Sequence, residues 1–371
     1  MLRSILLLLI FSTIFCYGEN KNTINVESYD KIDTILIEKF NSVFHFPPIN
    51  QDTTYVCWSF STTSFIETEM KRLGKAPVKL SVMFPVYYAF IEKIKYYVKT
   101  KGESRFTSGD LFGTVFDIIQ KYGIVPERNY SGKTHKRNTY NHDKLYAELY
   151  EFRDKIKKES LWDEQLAESG IKKILNKYLG KPPESFKYDG GVYTPMSFMR
   201  NVVDLKWQDY IKITSFEYSL FNDFTLLKVP DNWRPDSSFL NISLDTFYNS
   251  LKSAIINGYS LAIDGDIGEP GRIGDTDMCI IPDYDIPSQA ISQKAREYRF
   301  EKGLTTDDHL MHIIGYQNLN GKDWFLVKDS WRDAYEGKHK GYFFFNGDYV
   351  KLKVLAYMVH KDAVPKITKL I

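Results

Sequence analysis

Cysteine is nearly missing from this chain, with three in 371 residues. So low a count excludes a small fold stapled by several disulfides. Cys16 lies in an apolar N-terminal segment, which leaves Cys57 and Cys279 beyond it. After that segment no apolar run is long enough to span a bilayer, so no stable membrane span is expected. Internal repeats and low-complexity linkers are lacking too. So is an excess of one charge: 49 Lys and Arg stand interspersed with 47 Asp and Glu, for a net charge of +2. With no basic stripe, a nucleic-acid partner is not expected. The cysteines and histidines do not fall at metal-ligand spacing, so no metal site and no other cofactor is expected. Aromatic residues, by contrast, are plentiful: 26 Tyr and 25 Phe suit thick packing and wide clefts.

The first residues read as a targeting segment. Arg3 is followed by an apolar run over 5–15 and by small residues at Cys16 and Gly18. This predicts a secretory signal over 1–18, cut after Gly18, and a secreted or periplasmic protein. The alternative is a lipoprotein signal with Cys16 as the lipidated residue. It fits less well, because Thr13, Ile14 and Phe15 do not supply the small residue expected before such a cysteine.

Periodicity predicts a helix from about Cys57 to Gly74, a second over 108–123, a charged helical hairpin over 142–180 and a short helix after Thr194-Pro195. A last amphipathic helix is expected over 245–257. Four β-rich stretches follow: YSLAIDGD, HLMHIIGYQ, DWFLVKDSW and GYFFFNG. Asn320-Gly321 marks a hairpin turn between the second and third. Helices first and an antiparallel sheet second is an α+β order.

A cysteine in the first turn of a helix sits at the positive end of the helix dipole, which favours the nucleophilic thiolate. Alone, Cys57 could equally be a buried thiol, or half of a disulfide with Cys279. Its company points to catalysis. Gln51, six residues earlier, can pair its amide with the Cys57 N–H as an oxyanion hole. His309 lies on one predicted strand and Asp329 on the next, so that an imidazole and a carboxylate meet across the hairpin. His312 is read as structural, and His45, His135, His142, His339 and His360 lie outside any site. Cys279, in an apolar stretch, reads as an unreactive buried thiol. Asn129 and Asn241 stand in glycosylation sequons.

These residues resemble the papain family of cysteine peptidases. Its pattern of Gln, five residues, then Cys-Trp-x-Phe matches Gln51 and Cys57-Trp58-Ser59-Phe60. His309 is followed by Gly315, and Asp329-Ser330-Trp331 precedes Gly341-Tyr342, as in the family. The 108–124 stretch resembles the family's glycine-rich substrate wall, which puts Gly109 beside the substrate. Helical insertion after Tyr130, the YTPMSF segment and the DHLM sequence resemble the bleomycin hydrolase/aminopeptidase C branch. The resemblance spans about 45–360.

It implies a papain-like two-lobe fold. A helical lobe over 19–130 would carry Cys57, a mainly helical insertion would fill 131–240, and an antiparallel, β-barrel-like lobe over 241–371 would carry His309. The stretch 19–50 leaves no room for the long inhibitory pro-segment of secreted papain relatives. The implied activity is hydrolysis of a peptide or protein substrate through a Cys57 thioester, as an aminopeptidase or a narrow-specificity peptidase. Cys57, His309 and Asp329 would be catalytic, Gln51 would line the oxyanion hole, and Gly109, Trp331 and Tyr55 would bind substrate. Three positions depart from the pattern: Asp329 stands for Asn, and Tyr55 and Arg332 for Gly. Tyr55 and Arg332 are expected to crowd the thiol, which keeps open a second reading as a catalytically weak or inactive papain-fold peptide-binding homologue.

Overall fold

The computed structural model describes residues 37–134, 139–268, 271–273 and 276–369, all in one compact unit beginning at Ile37. The signal segment, His135 and the last pair, Leu370 and Ile371, lie outside the described residues.

Helices α1 (Cys57–Arg72), α2 (Met83–Lys99), α3 (Phe112–Tyr122), α4 (Asp143–Lys158) and α5 (Glu164–Leu179) come first. They are followed by α6 (Pro195–Phe198), α7 (Leu244–Ile256), α8 (Gln293–Glu301), α9 (Gly347–Lys353) and α10 (Pro365–Thr368). None among the described residues is long and apolar enough to cross a membrane. The strands are β1 (Asn41–Ser42), β2 (Phe186–Tyr188), β3 (Gly191–Tyr193), β4 (Tyr210–Thr214), β5 (Asp223–Thr225), β6 (Phe239–Asn241) and β7 (Leu261–Gly265). Beyond these lie β8 (Arg272–Ile273), β9 (Met278–Cys279), β10 (His309–Leu319), β11 (Lys322–Lys328), β12 (Tyr342–Asn346) and β13 (Val354–His360).

Strands β2 and β3 pair only with each other. The other strands form one sheet in the order β5-β6-β4-β13-β7-β10-β11-β12-β9-β8, with β1 added on β10. The α+β class expected from the order of elements is borne out. The sheet is mixed, however: β4 with β6 and β12 with β9 run parallel. One apolar core lies among α1–α5 and the sheet; the second joins the opposite sheet face to α7.

Helix α1 lies almost wholly inside, with Ser59, Thr62, Thr63 and Ser64 buried beside Phe65 and Ile66. Small hydroxyl residues let it pack closely on β10, where the Ser61 hydroxyl donates to Met311 O at 2.6 Å. Asn320 and Gly321 close the β10–β11 hairpin with φ of 53° and 80°, as a two-residue turn of this type requires. Gly315 is dictated by crowding. A Cβ there would lie 3.2 Å from Leu326 Cβ and 3.3 Å from Asn41 O, because β1 runs close over β10.

The helix over 245–257 is α7, but it is not the last. In α8, Arg296, Glu297 and Arg299 are buried, so the polar sequence hid a core element. The Arg296 guanidinium donates to Ser215 O, Lys351 O and Leu355 O at 2.8–3.0 Å, satisfying the charge internally. Helix α9 begins inside the apparent GYFFFNG strand, where Asn346 Oδ1 caps Asp348 N. Helix α2 was also illegible. No element was expected over 83–99; the stretch is rich in Tyr, Phe and Val, which favour strands, and Pro85 falls in the first turn of the helix, where a missing N–H costs nothing. Of the two sequons, Asn241 is fully buried and its amide donates to Phe216 O, Ser219 O and Leu220 O, so it cannot carry a glycan in this fold.

Candidate active site

Cys57 is the first residue of α1, and its thiol accepts from the Leu310 N–H at 3.4 Å. That contact sets the α1 N-terminus against the start of β10. His309, one residue earlier, is buried, and its Nε2 lies 2.9 Å from Asp329 Oδ1. This leaves Nδ1 for the hydrogen bond with Cys57. Burial alone would push the imidazolium pKa down. The Asp329 and Cys57 charges and hydrogen bonds outweigh it and hold the group well above 6.5. Asp329 is in turn held by Trp331 N, which donates to Oδ1 at 2.6 Å, and the Trp331 ring stands edge-on to His309 at 6.1 Å. Cysteine, histidine and carboxylate thus form a continuous chain.

Gln51 is buried, and neither polar atom of its side-chain amide has a partner. Its backbone N–H donates to Ser330 O at 2.7 Å, which ties the Gln51 loop to the Asp329–Trp331 segment. An unused amide donor in a buried wall beside a thiol is suited to receive an oxyanion.

Gln51, Tyr55, Cys57, Gly109, His309 and Trp331 all line one cleft of about 460 Å³. Asp329 lies behind it. Tyr55 has φ of 51°, a left-handed conformation that explains why glycine suits this position. The residue is 45% exposed, and its ring lies 5.9 Å from the Trp331 ring and 6.2 Å from that of Tyr146, so it narrows the mouth. Arg332 does not crowd the thiol as expected. Its side chain is 69% exposed, reaches toward Asp333 and takes no part in lining the cleft, because the short turn after Trp331 swings it to solvent.

Sequence reasoning missed several wall residues, among them Arg105, Asp231, Asp308 and Asp333. Asp308 was within reach, since it directly precedes His309. Asp231 was not, because it arrives on a loop far from both halves of the site. A Cβ on Gly109 would fall 1.9 Å from Asp231 Oδ2, so glycine is needed to admit that carboxylate.

His312 points away from the cleft. Its Nδ1 bonds the Ser64 hydroxyl at 2.9 Å, and Lys328 Nζ donates to the same oxygen at 2.9 Å. Burial pushes the Lys328 ammonium down to about 7, aided by repulsion from Lys79 and opposed by Glu67. Burial, then Lys328 and His45, keep His312 neutral, well below 6.5.

The profile of the peptidase C1-like family matches residues 14–370. Among solved structures, PepW from Lactobacillus rhamnosis HN001 superposes with a TM-score of 0.71 at 19% identity, covering 93% of this chain and 86% of its own. Digestive procathepsin L 3 of the Tenebrio molitor larval midgut gives a TM-score of 0.38 at 15% identity, over 86% of this chain and 67% of its own. No curated protein sequence matched. The match over nearly the whole length bears out the papain-like resemblance, and the chain belongs to the peptidase C1-like family of cysteine-type peptidases.

Proposed function

We propose that this protein is a secreted aminopeptidase or narrow-specificity peptidase that hydrolyses peptide bonds through a thioester on Cys57. The observation that carries the reading is the unbroken chain from the Cys57 thiol through His309 to Asp329, with the unpartnered Gln51 amide alongside. The Cys57 thiolate attacks the scissile carbonyl carbon, and the developing oxyanion rests on the Gln51 amide and the Cys57 N–H. His309 passes its Nδ1 proton to the leaving amine as the C–N bond breaks. Water then attacks the thioester, His309 takes its proton, and the acid departs with thiolate and imidazolium restored. Resemblance to the bleomycin hydrolase/aminopeptidase C branch supports the exopeptidase side of this reading. Secretion rests on residues 1–18 alone.

A thiol-directed epoxide tests the mechanism. It should label the wild type once, at Cys57, and Cys57→Ala should lose both labelling and turnover. A wild type that resists the probe and cleaves nothing would mean a peptide-binding homologue with a dead site. Label on Cys279 would mean that the nucleophile is wrongly assigned.

A further inference from the structure

Asp329 brings to its position a negative charge and a second acceptor oxygen that an asparagine would not. Oδ1 is fully used: it meets His309 Nε2 at 2.9 Å and takes the Trp331 N–H at 2.6 Å. Oδ2 is buried and has no hydrogen-bond partner. A buried carboxylate oxygen left without a donor is costly. The turn that follows Asp329 carries a donor in the same condition.

Tyr335 ends the short turn Arg332–Tyr335. Asp329 N donates to Gly341 O at 2.9 Å, and Gly341 N donates to Ala334 O at 2.7 Å, so the carboxylate and the tyrosine hang on one residue. The Tyr335 hydroxyl lies over that residue: a Cβ on Gly341 would stand 3.1 Å from it. The hydroxyl is buried and, like Asp329 Oδ2, has no partner. Burial, followed by the Asp329 charge, holds its proton in place well above pH 10, so the phenol is a donor throughout the working range. Tyr342 and Asp52 are the other titratable groups that face it. The Tyr342 hydroxyl is engaged with His45 Nε2 at 3.0 Å, and Asp52 Oδ2 receives the Tyr140 N–H at 2.8 Å. That leaves a free buried donor and a free buried acceptor on either side of Gly341. A single water joins polar groups held just beyond direct reach of each other.

Resting on the cysteine-peptidase reading above, we propose that Tyr335 is a positioning residue of the catalytic chain, its hydroxyl serving Asp329 Oδ2 through one water. A donor on Oδ2 holds the carboxyl in its plane and draws charge away from Oδ1. The imidazolium is then gripped less firmly, and its proton passes more readily to the leaving amine. Tyr335 thereby opposes Asp329: the carboxylate raises the His309 pKa, and the phenol brings it part of the way back.

NMR titration of histidine-labelled Cys57→Ala protein reads the His309 imidazolium without any turnover. His309 faces Cys57, Asp329 and, from the preceding position, Asp308. The background substitution removes the first, and Asp308 is common to every protein compared. Tyr335→Phe, which deletes only the hydroxyl, should move the His309 pKa upward by about 0.4–1 pH unit. With Asp329→Asn also present, the same substitution should move it by less than about 0.1 unit. No shift in the first background, or equal shifts in both, overturns the proposal, because a merely structural tyrosine would not distinguish carboxylate from amide. A crystal structure of the Cys57→Ala protein needs no change at Tyr335 and covers a Phe variant that does not fold. It should show one water bonded to both Tyr335 Oη and Asp329 Oδ2; no such water overturns the proposal as well. Epoxide labelling of wild-type Cys57, run in parallel, keeps the readings separate. A labelled enzyme whose His309 ignores Tyr335 sinks only the positioning role, and an unlabelled one sinks only the peptidase mechanism.

Discussion

His309 Nε2 and Asp329 Oδ1 meet at 2.9 Å, and this single bond decides which ring nitrogen faces Cys57. A carboxylate where an amide would serve also favours the protonated ring. Activity needs thiolate and imidazolium together, so the alkaline limb of kcat/KM is loss of the imidazolium proton. Asp329→Asn removes the charge that holds this group above its ordinary 6.5. The variant should stay active with its alkaline limb moved to lower pH. A limb that does not move between the two pH profiles would falsify the assigned geometry.

The Gln51 amide is predicted to act only as the tetrahedral intermediate forms. Gln51→Ala should lower kcat by about 10²–10³-fold while KM changes little. Steady-state kinetics on one dipeptide substrate decides it; a loss confined to KM would place Gln51 in ground-state binding.

Tyr55 and Arg332 should separate. Tyr55→Gly relieves a left-handed backbone worth roughly 1–3 kcal/mol and opens the mouth of the cleft, offsetting the lost contacts with Trp331 and Tyr146. Turnover of bulky dipeptide substrates should rise several-fold with little change in Tm. Arg332→Gly should leave kcat/KM within about twofold, since its side chain stands in solvent. Equal effects of the two substitutions would contradict the placement of both.

Lys328 makes the pH dependence of stability a readout of the core. The unfolded chain holds its proton below the ordinary 10.5, the folded chain only below about 7. Between these values the unfolded state binds the extra proton, so this group lowers stability progressively as pH falls from 10.5 to 7, and no further below. The whole interval corresponds to roughly 5 kcal/mol. Lys328→Met, which loses the bond to Ser64 but fills similar space, should raise the urea midpoint most near pH 6–7 and least above pH 10. A gain independent of pH would show that the ammonium is not desolvated in the fold.

How much could be read in advance follows the distance over which each feature is built. His309 and Asp329 were legible because a hairpin with a two-residue turn joins them, and such turns announce themselves. Gly315 was visible as a spacing, though its cause, the close passage of β1, was not. Asp231 was hidden because only the folded chain brings its loop to Gly109. Helix α8 was hidden by its own charges, which face inward: Arg296 donates to carbonyls of three other segments, Glu297 accepts from Glu217 N and Arg299 pairs with Asp285. Where burial is achieved by hydrogen bonding in place of apolar side chains, hydrophobic periodicity has nothing to report.

The contact between Leu310 N–H and the Cys57 thiol joins residues 253 positions apart. On a ribosome adding 5–20 residues per second, roughly 10–50 s pass between the making of the nucleophile and the making of its proton partner. Throughout that interval the growing polypeptide carries a thiol with no base. Fragments stopped before the β10–β11 hairpin lack both His309 and Asp329 and cannot assemble the chain of hydrogen bonds that begins at Cys57. The site is therefore complete only once synthesis has passed Asp329.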